Sequence, residues 1–174
     1  MSYELQTGES AQGAVRRIAH EQLGRAITNL APASAHGDEA IHEARKSLKR
    51  MRALVRLARG ELGEEVYRRH NDCMRDAARE LAGLRDAAAL REALEELLVW
   101  LGSRAPQSRF QPIATWLASR HADHFDERST QLVKLISSVR GRLQTLDAEV
   151  DDWPQRHDGW KTLAAGLRRV FRRG

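Results

Sequence analysis

Apolar residues at steps of three and four constrain this chain more than any other feature. Ile41, Ala44, Leu48, Met51, Val55 and Ala58 recur at that spacing. The pattern draws one buried stripe along an α-helix and does not fit a strand, whose faces alternate every second residue. His42, Arg45, Lys49, Arg52, Arg56 and Arg59 recur at the same steps one position round, and Lys46 and Arg50 widen that polar face. Asp38 is the expected cap, Glu39 the acid of the first turn and Gly60 the expected stop.

The segment also accounts for the charge of the molecule. The chain holds 29 Lys and Arg against 24 Asp and Glu, net +5. Residues 45, 46, 49, 50, 52, 56 and 59 supply seven of those cations beside one acid, Glu43, so the rest of the chain is close to neutral. Like charges three and four positions apart cost each other roughly a few tenths of a kcal/mol in a helix. Ordinary surface helices mix signs; this one does not, and a bound anion would offset the cost. The bland alternative is a solvated helix whose arginines pair with acids on its neighbours. The segment holds too few acids to pair them locally.

Helix formers dominate elsewhere, with only four Pro and 5% aromatic residues, which predicts an all-α fold. At 174 residues residues 1–174 read as a single domain with a real core. Cys73 is alone, so no internal disulfide forms, and its spacing makes it a core residue. No signal peptide is visible before Ser10, and the apolar run from Leu97 to Leu101 is too short to cross a bilayer. The expected setting is cytoplasmic.

About six amphipathic helices with short connections predict an antiparallel bundle. The first covers residues 10–30 with Val15, Ile18, Leu23, Ile27 and Leu30 inward. A loop at 31–37 and the cationic helix follow. After a turn at 60–63, Glu64 and Glu65 favour a third helix burying Val66, His70, Cys73, Ala77 and Leu81. Gly83 is expected to interrupt it, and Leu84-Arg85-Asp86 to open a fourth with Leu90, Leu94, Leu97 and Leu101 inward. Residues 102–112 read as a linker. A long helical stretch then buries Ile113, Leu117 and Phe125, with a break at 121–126, and continues with Leu132, Leu135, Val139, Leu143 and Leu146. Asp151-Asp152-Trp153-Pro154 stops it. A last helix over 160–171 ends in Arg168-Arg169-Val170-Phe171-Arg172-Arg173.

Several chemistries are excluded or weakened by spacing. A di-iron bundle needs two Glu-x-x-His pairs, and only Glu39-x-x-His42 fits. His121 and His124, near Asp123 and Asp126, form at most a weak metal site, and no zinc spacing with cysteine exists. His42-Glu43 superficially resembles a phosphoaccepting box, but no nucleotide-binding region follows. No paired carboxylates or nucleophile–base spacing point to a hydrolase, so the chain is expected to be no enzyme and to need no cofactor or metal. Nucleic acid is the rival ligand, because a basic stripe is the footprint of phosphate binding. The stripe carries no aromatic platform for stacking bases and no Asn or Gln for reading their edges. A membrane-surface helix needs Trp or Phe on its apolar face, and none is there.

The run His42-x-x-Arg45-Lys46-x-x-Lys49-Arg50-x-Arg52 resembles the signature of CHAD domains, the conserved histidine α-helical domains. Leu84-Arg85-Asp86 resembles that family's leucine-arginine-aspartate turn. Trp153-Pro154, Gly159-Trp160 and the stretch from Gly166 to Gly174 resemble the end of its first half, with Phe171 where an aromatic, usually tyrosine, is expected. The resemblance implies a non-catalytic module that binds inorganic polyphosphate and is often targeted to polyphosphate granules. It carries the ligand role onto His42, Arg45, Lys46, Lys49, Arg50, Arg52 and Arg85, and onto Arg168, Arg169, Arg172 and Arg173 of the basic end; Asp86 would orient an arginine. Arg56 joins them as a member of the cationic row. The family usually has two similar halves whose cationic helices face each other across a channel, whereas this chain has one such helix. Two readings stay open: a fragment or short form with an open half-site, or two copies that dimerise to rebuild the channel. The expected mechanism is electrostatic capture, with guanidinium groups forking onto phosphate oxygens and lysines adding point charge.

Overall fold

The computed structural model describes residues 6–32, 38–102, 106–117, 129–154 and 161–172; at 38, 84–89, 91–92, 107, 129–131 and 162 the backbone alone is described. The described elements are helical and include no strand. In chain order they are α1 (Ala11–Asn29), α2 (Asp38–Leu57), α3 (Arg59–Leu101), a 3₁₀ turn (Gln107–Arg109), α4 over 111–117, α5 (Ser129–Ala148) and α6 (Lys161–Phe171).

Helix α1 starts where Ser10 stands extended at φ −67°, ψ 151°, and its Oγ accepts the Gly13 N–H at 3.0 Å. This satisfies one of the donors that a helix start leaves open. Val15, Ile18, Leu23 and Leu30 are buried as their spacing predicts, and Ile27 is partly buried against them.

The α2 stripe is buried along its whole length: Ile41, Ala44, Leu48, Met51, Val55 and Ala58 are all at most 5% exposed. Helix α2 packs between α1 and α3 and touches α6 at its C-terminal end, so it is the centre of the bundle. Burying a side chain such as Leu48 or Met51 contributes roughly 1.5–3 kcal/mol. These contacts fix the rotation of the helix and with it the direction of its polar face.

The junction after α2 differs from the sequence expectation. The helix ends at Leu57, before Gly60, the chain bends at Ala58, and one helical turn over 59–62 follows. Gly63, at φ 78° and ψ 168°, carries the break, a left-handed conformation that glycine reaches without steric cost. The long body of α3 then begins at Glu64, where the paired acids favour a start.

Gly83 does not interrupt α3, and Leu84-Arg85-Asp86 lies inside one continuous helix. A single glycine costs about 1 kcal/mol in a helix interior, which the strong helix formers Ala82 and Leu84 beside it tolerate. The expected inward faces of this distal part are also corrected. Leu90 is 55% and Leu97 43% exposed, Leu94 and Leu101 are only partly buried, and Ile113 on α4 is 50% exposed. The cause is length. The body of α3 from Glu64 to Leu101 reaches about 57 Å, whereas the 20 residues of α2 reach about 30 Å, and no described residue of α3 beyond Leu81 is buried.

Within the overlap, α3 contributes His70, Met74, Ala77 and Leu81 to the core, while Val66 and Cys73 pack at its edge. Burial pushes the Cys73 thiol above its ordinary value, which suits a packing residue rather than a reactive thiolate. Val139, Leu143 and Leu146 of α5 are buried, Leu132 and Leu135 pack against them, and Leu117 of α4 is buried. The expected break at 121–126, with Phe125, lies outside the described residues.

After α5 the chain turns, and Trp153 inserts beneath α3. Its Nε1 donates to His70 Nε2 at 3.3 Å, and the two rings meet edge to face with centroids 5.3 Å apart. His70 Nδ1 lies 3.0 Å from the Val66 carbonyl. A neutral imidazole protonated at Nδ1 satisfies both partners. Arg16 of α1 closes the corner by donating to the Trp153 carbonyl at 2.5 Å.

Candidate polyanion-binding site

At 100° per residue, Arg52, Arg45, Arg56, Lys49 and His42 fall in an arc of about 80° along one side of α2, spaced about 5 Å apart along the axis. Lys49 and Arg56 are exposed; His42, Arg45 and Arg52 are half-buried at the edges of the helix. Lys46 and Arg50 stand exposed on the adjoining side. The buried stripe holds this row rigid, because rotating α2 would pull Leu48 and Met51 out of the core.

The decisive question is which of these cations already has a counter-ion. Lys46 has one: its Nζ lies 2.7 Å from Glu43 Oε1. That hydrogen bond, aided by the fields of Lys46, His42 and Arg50, holds the Glu43 carboxyl below its ordinary value despite partial desolvation. Arg59 has one too, with Nη2 2.6 Å from Glu64 Oε2 and its guanidinium 4.5 Å from the centre of the Tyr67 ring. Arg59 therefore belongs to the row by spacing but is engaged at the α3 junction. Among the described residues, no carboxylate forms an ion pair with Arg45, Lys49, Arg52 or Arg56.

Several acids of neighbouring helices are occupied elsewhere. Glu64 pairs with Arg68 as well as Arg59, Asp72 and Asp76 pair with Arg75, Glu80 with Arg142, and Glu149 with Arg69. Those acids are engaged with arginines of α3 and α5, whereas no described carboxylate pairs with Arg45, Lys49, Arg52 or Arg56. Arg52 has a different kind of partner: its Nε donates to Asn71 Oδ1 on α3 at 3.2 Å. Asn71 carries no signal in the sequence, because its role depends on the antiparallel register of α2 and α3.

A second cationic group meets the row at its end. Helix α6 presses against α2 so closely that a Cβ on Gly166 would stand 1.9 Å from the Leu57 carbonyl oxygen. Two positions beyond that contact come Arg168, exposed, and Arg169, half-buried with its Nη1 enclosed and unpartnered among the described residues; Arg172 is exposed. The close approach at Leu57 sets α6, which carries this cluster, against the C-terminal end of α2. The Arg85 backbone lies in α3, while the side chains of Arg85 and Asp86, and Arg173 entirely, lie outside the described residues.

Other chemistries find little here. Among the described residues no group of three or more His, Cys, Asp or Glu could hold a metal ion; His121, Asp123, His124 and Asp126 lie outside them. No described helix is long and apolar enough to cross a membrane.

A family model described as CHAD domain matches residues 17–174. No curated protein and no solved structure matches the chain.

Proposed function

Because the chain belongs to the CHAD domain family, we propose that it is a non-catalytic module that captures inorganic polyphosphate along α2. The observation that carries this reading is the run of Arg45, Lys49, Arg52 and Arg56, rigidly mounted and without a carboxylate partner among the described residues. Guanidinium groups at one-turn spacing meet a chain of repeating phosphates with forked, charge-assisted hydrogen bonds, and Lys49 adds point charge. His42, Lys46 and Arg50 flank the row, Arg85 is carried by family resemblance, and Arg168, Arg169 and Arg172 extend the positive surface at one end. No bond is made or broken in this mechanism.

Non-sequence-specific nucleic-acid binding is the alternative, and the absence of aromatic side chains between Ile41 and Leu57 disfavours it, since single strands are held largely by stacking. Competition of long-chain polyphosphate against single-stranded DNA and RNA at about 150 mM salt, where nonspecific phosphate contacts are weakened, separates the two. Preference for polyphosphate is expected; preference for nucleic acid would overturn the reading.

The same reading extends to assembly and location. A row open on one side is completed when a second copy brings its own, so two copies enclose the polyanion between them. Light scattering with and without polyphosphate tests this, and a monomer in both would contradict it. A polyphosphate-binding module would concentrate on polyphosphate granules, which a fluorescent fusion would report.

A further inference from the structure

Two arginines of α2 and its junction are tied to α3 in chemically opposite ways. Arg59 is held by the carboxylate of Glu64, an anion it shares with Arg68. Arg52 is held by the side-chain oxygen of Asn71, 3.2 Å from its Nε, which is neutral. A guanidinium has five N–H donors in a fixed fork. Holding Nε alone leaves the outer four, among the described residues, to meet an anion.

The amide of Asn71 is itself oriented. Its Nδ2 donates to Asp72 Oδ1 at 3.3 Å, and Asp72 Oδ1 also accepts from Arg75 Nη1 at 2.8 Å. With Nδ2 committed to Asp72, the oxygen is the end that faces Arg52. Asp72 in turn is held by Arg75, a cation it shares with Asp76.

We propose that Asn71 is a positioning residue for polyanion capture: it anchors Arg52 across the α2–α3 groove without neutralising it. The role rests on the reading of α2 as a polyphosphate site. It also explains why an amide stands there. Aspartate at this position would form an Arg52 ion pair like that of Arg59 and remove one charge from the row. A small apolar residue would leave Arg52 unanchored.

The test is the salt dependence of polyphosphate affinity for the full chain and four variants, with helicity checked by circular dichroism. Arg52→Gln should reduce the log–log slope by about 0.7, the loss expected for one phosphate contact on a single-stranded polyanion. Asn71→Asp should reduce it by a similar amount, and should lose most of that effect when combined with Arg52→Gln. Asn71→Ala should keep the wild-type slope and weaken binding roughly 2- to 10-fold, the effect of an arginine that must be immobilised on binding. A wild-type slope in Asn71→Asp, or an undiminished effect in the double variant, would overturn the positioning role alone. A wild-type protein that does not bind polyphosphate would overturn the function and this role with it.

Discussion

Arg45 and Lys49 stand one turn apart in the middle of the row and pair with no described carboxylate. Reversing both, Arg45→Glu with Lys49→Glu, is expected to weaken polyphosphate binding by more than about a hundredfold, because like charges then oppose the ligand at its centre. Circular dichroism should be unchanged, since neither side chain holds the fold together; a collapse of helicity would show that they do. Two histidines outside the row make opposite pH predictions. Burial lowers the His70 pKa against the weaker pull of the nearby Glu149, so His70 favours folding fully above the ordinary value near 6.5 and loses that contribution as pH falls. His20 is partly desolvated, but Asp147 at 2.8 Å and Asp151 at 3.2 Å outweigh that and raise its pKa. Its contribution is present below about 6.5 and fades as pH rises through the folded value. Thermal melts between about pH 5.5 and 8 should lose their acid-side slope in His70→Gln and their alkaline-side slope in His20→Ala; unchanged slopes would contradict these assignments. The row itself could be read from spacing in the sequence. Asn71 and the engagement of Arg59 could not, because each depends on which α3 residue lies opposite.

Helix α2 is legible in the sequence because its apolar and cationic periods agree over five turns, and the structure buries the expected stripe. Leu48→Ala is expected to destabilise the protein by about 2–5 kcal/mol, as for other fully buried leucines, which denaturant unfolding would measure. The α3 boundary was not legible at Gly83, since a lone glycine weakens a helix without ending it. Gly63 falls in the turn expected at 60–63, and there the left-handed backbone makes glycine necessary. Nor could the exposure of Leu90 and Leu97 be foreseen. Their spacing records an amphipathic helix, and the overhang past α2 decides that the stripe lies outside the core. Gly166 tests the α2–α6 contact. A methyl group there would meet the Leu57 carbonyl at 1.9 Å, and backbone on both sides leaves little room to yield. Gly166→Ala should therefore lower the melting temperature and weaken polyphosphate binding by displacing Arg168, Arg169 and Arg172. Unchanged stability and binding would show that α6 is not held as described.

At the scale of the molecule, a nearly neutral helical body carries one concentrated strip of positive charge. Several acids of the neighbouring helices are paired with arginines there, and no described carboxylate pairs with Arg45, Lys49, Arg52 or Arg56. Fold and charge are thus two results of one periodic pattern, in which one face of α2 fills the core and the other holds Arg45, Lys49, Arg52 and Arg56 with no carboxylate partner among the described residues. The most direct test is the affinity of the wild-type protein for long-chain polyphosphate as salt is raised. Capture of about five phosphates predicts a log–log slope near −3 to −4, by analogy with single-stranded nucleic acids. A flat titration would contradict the account.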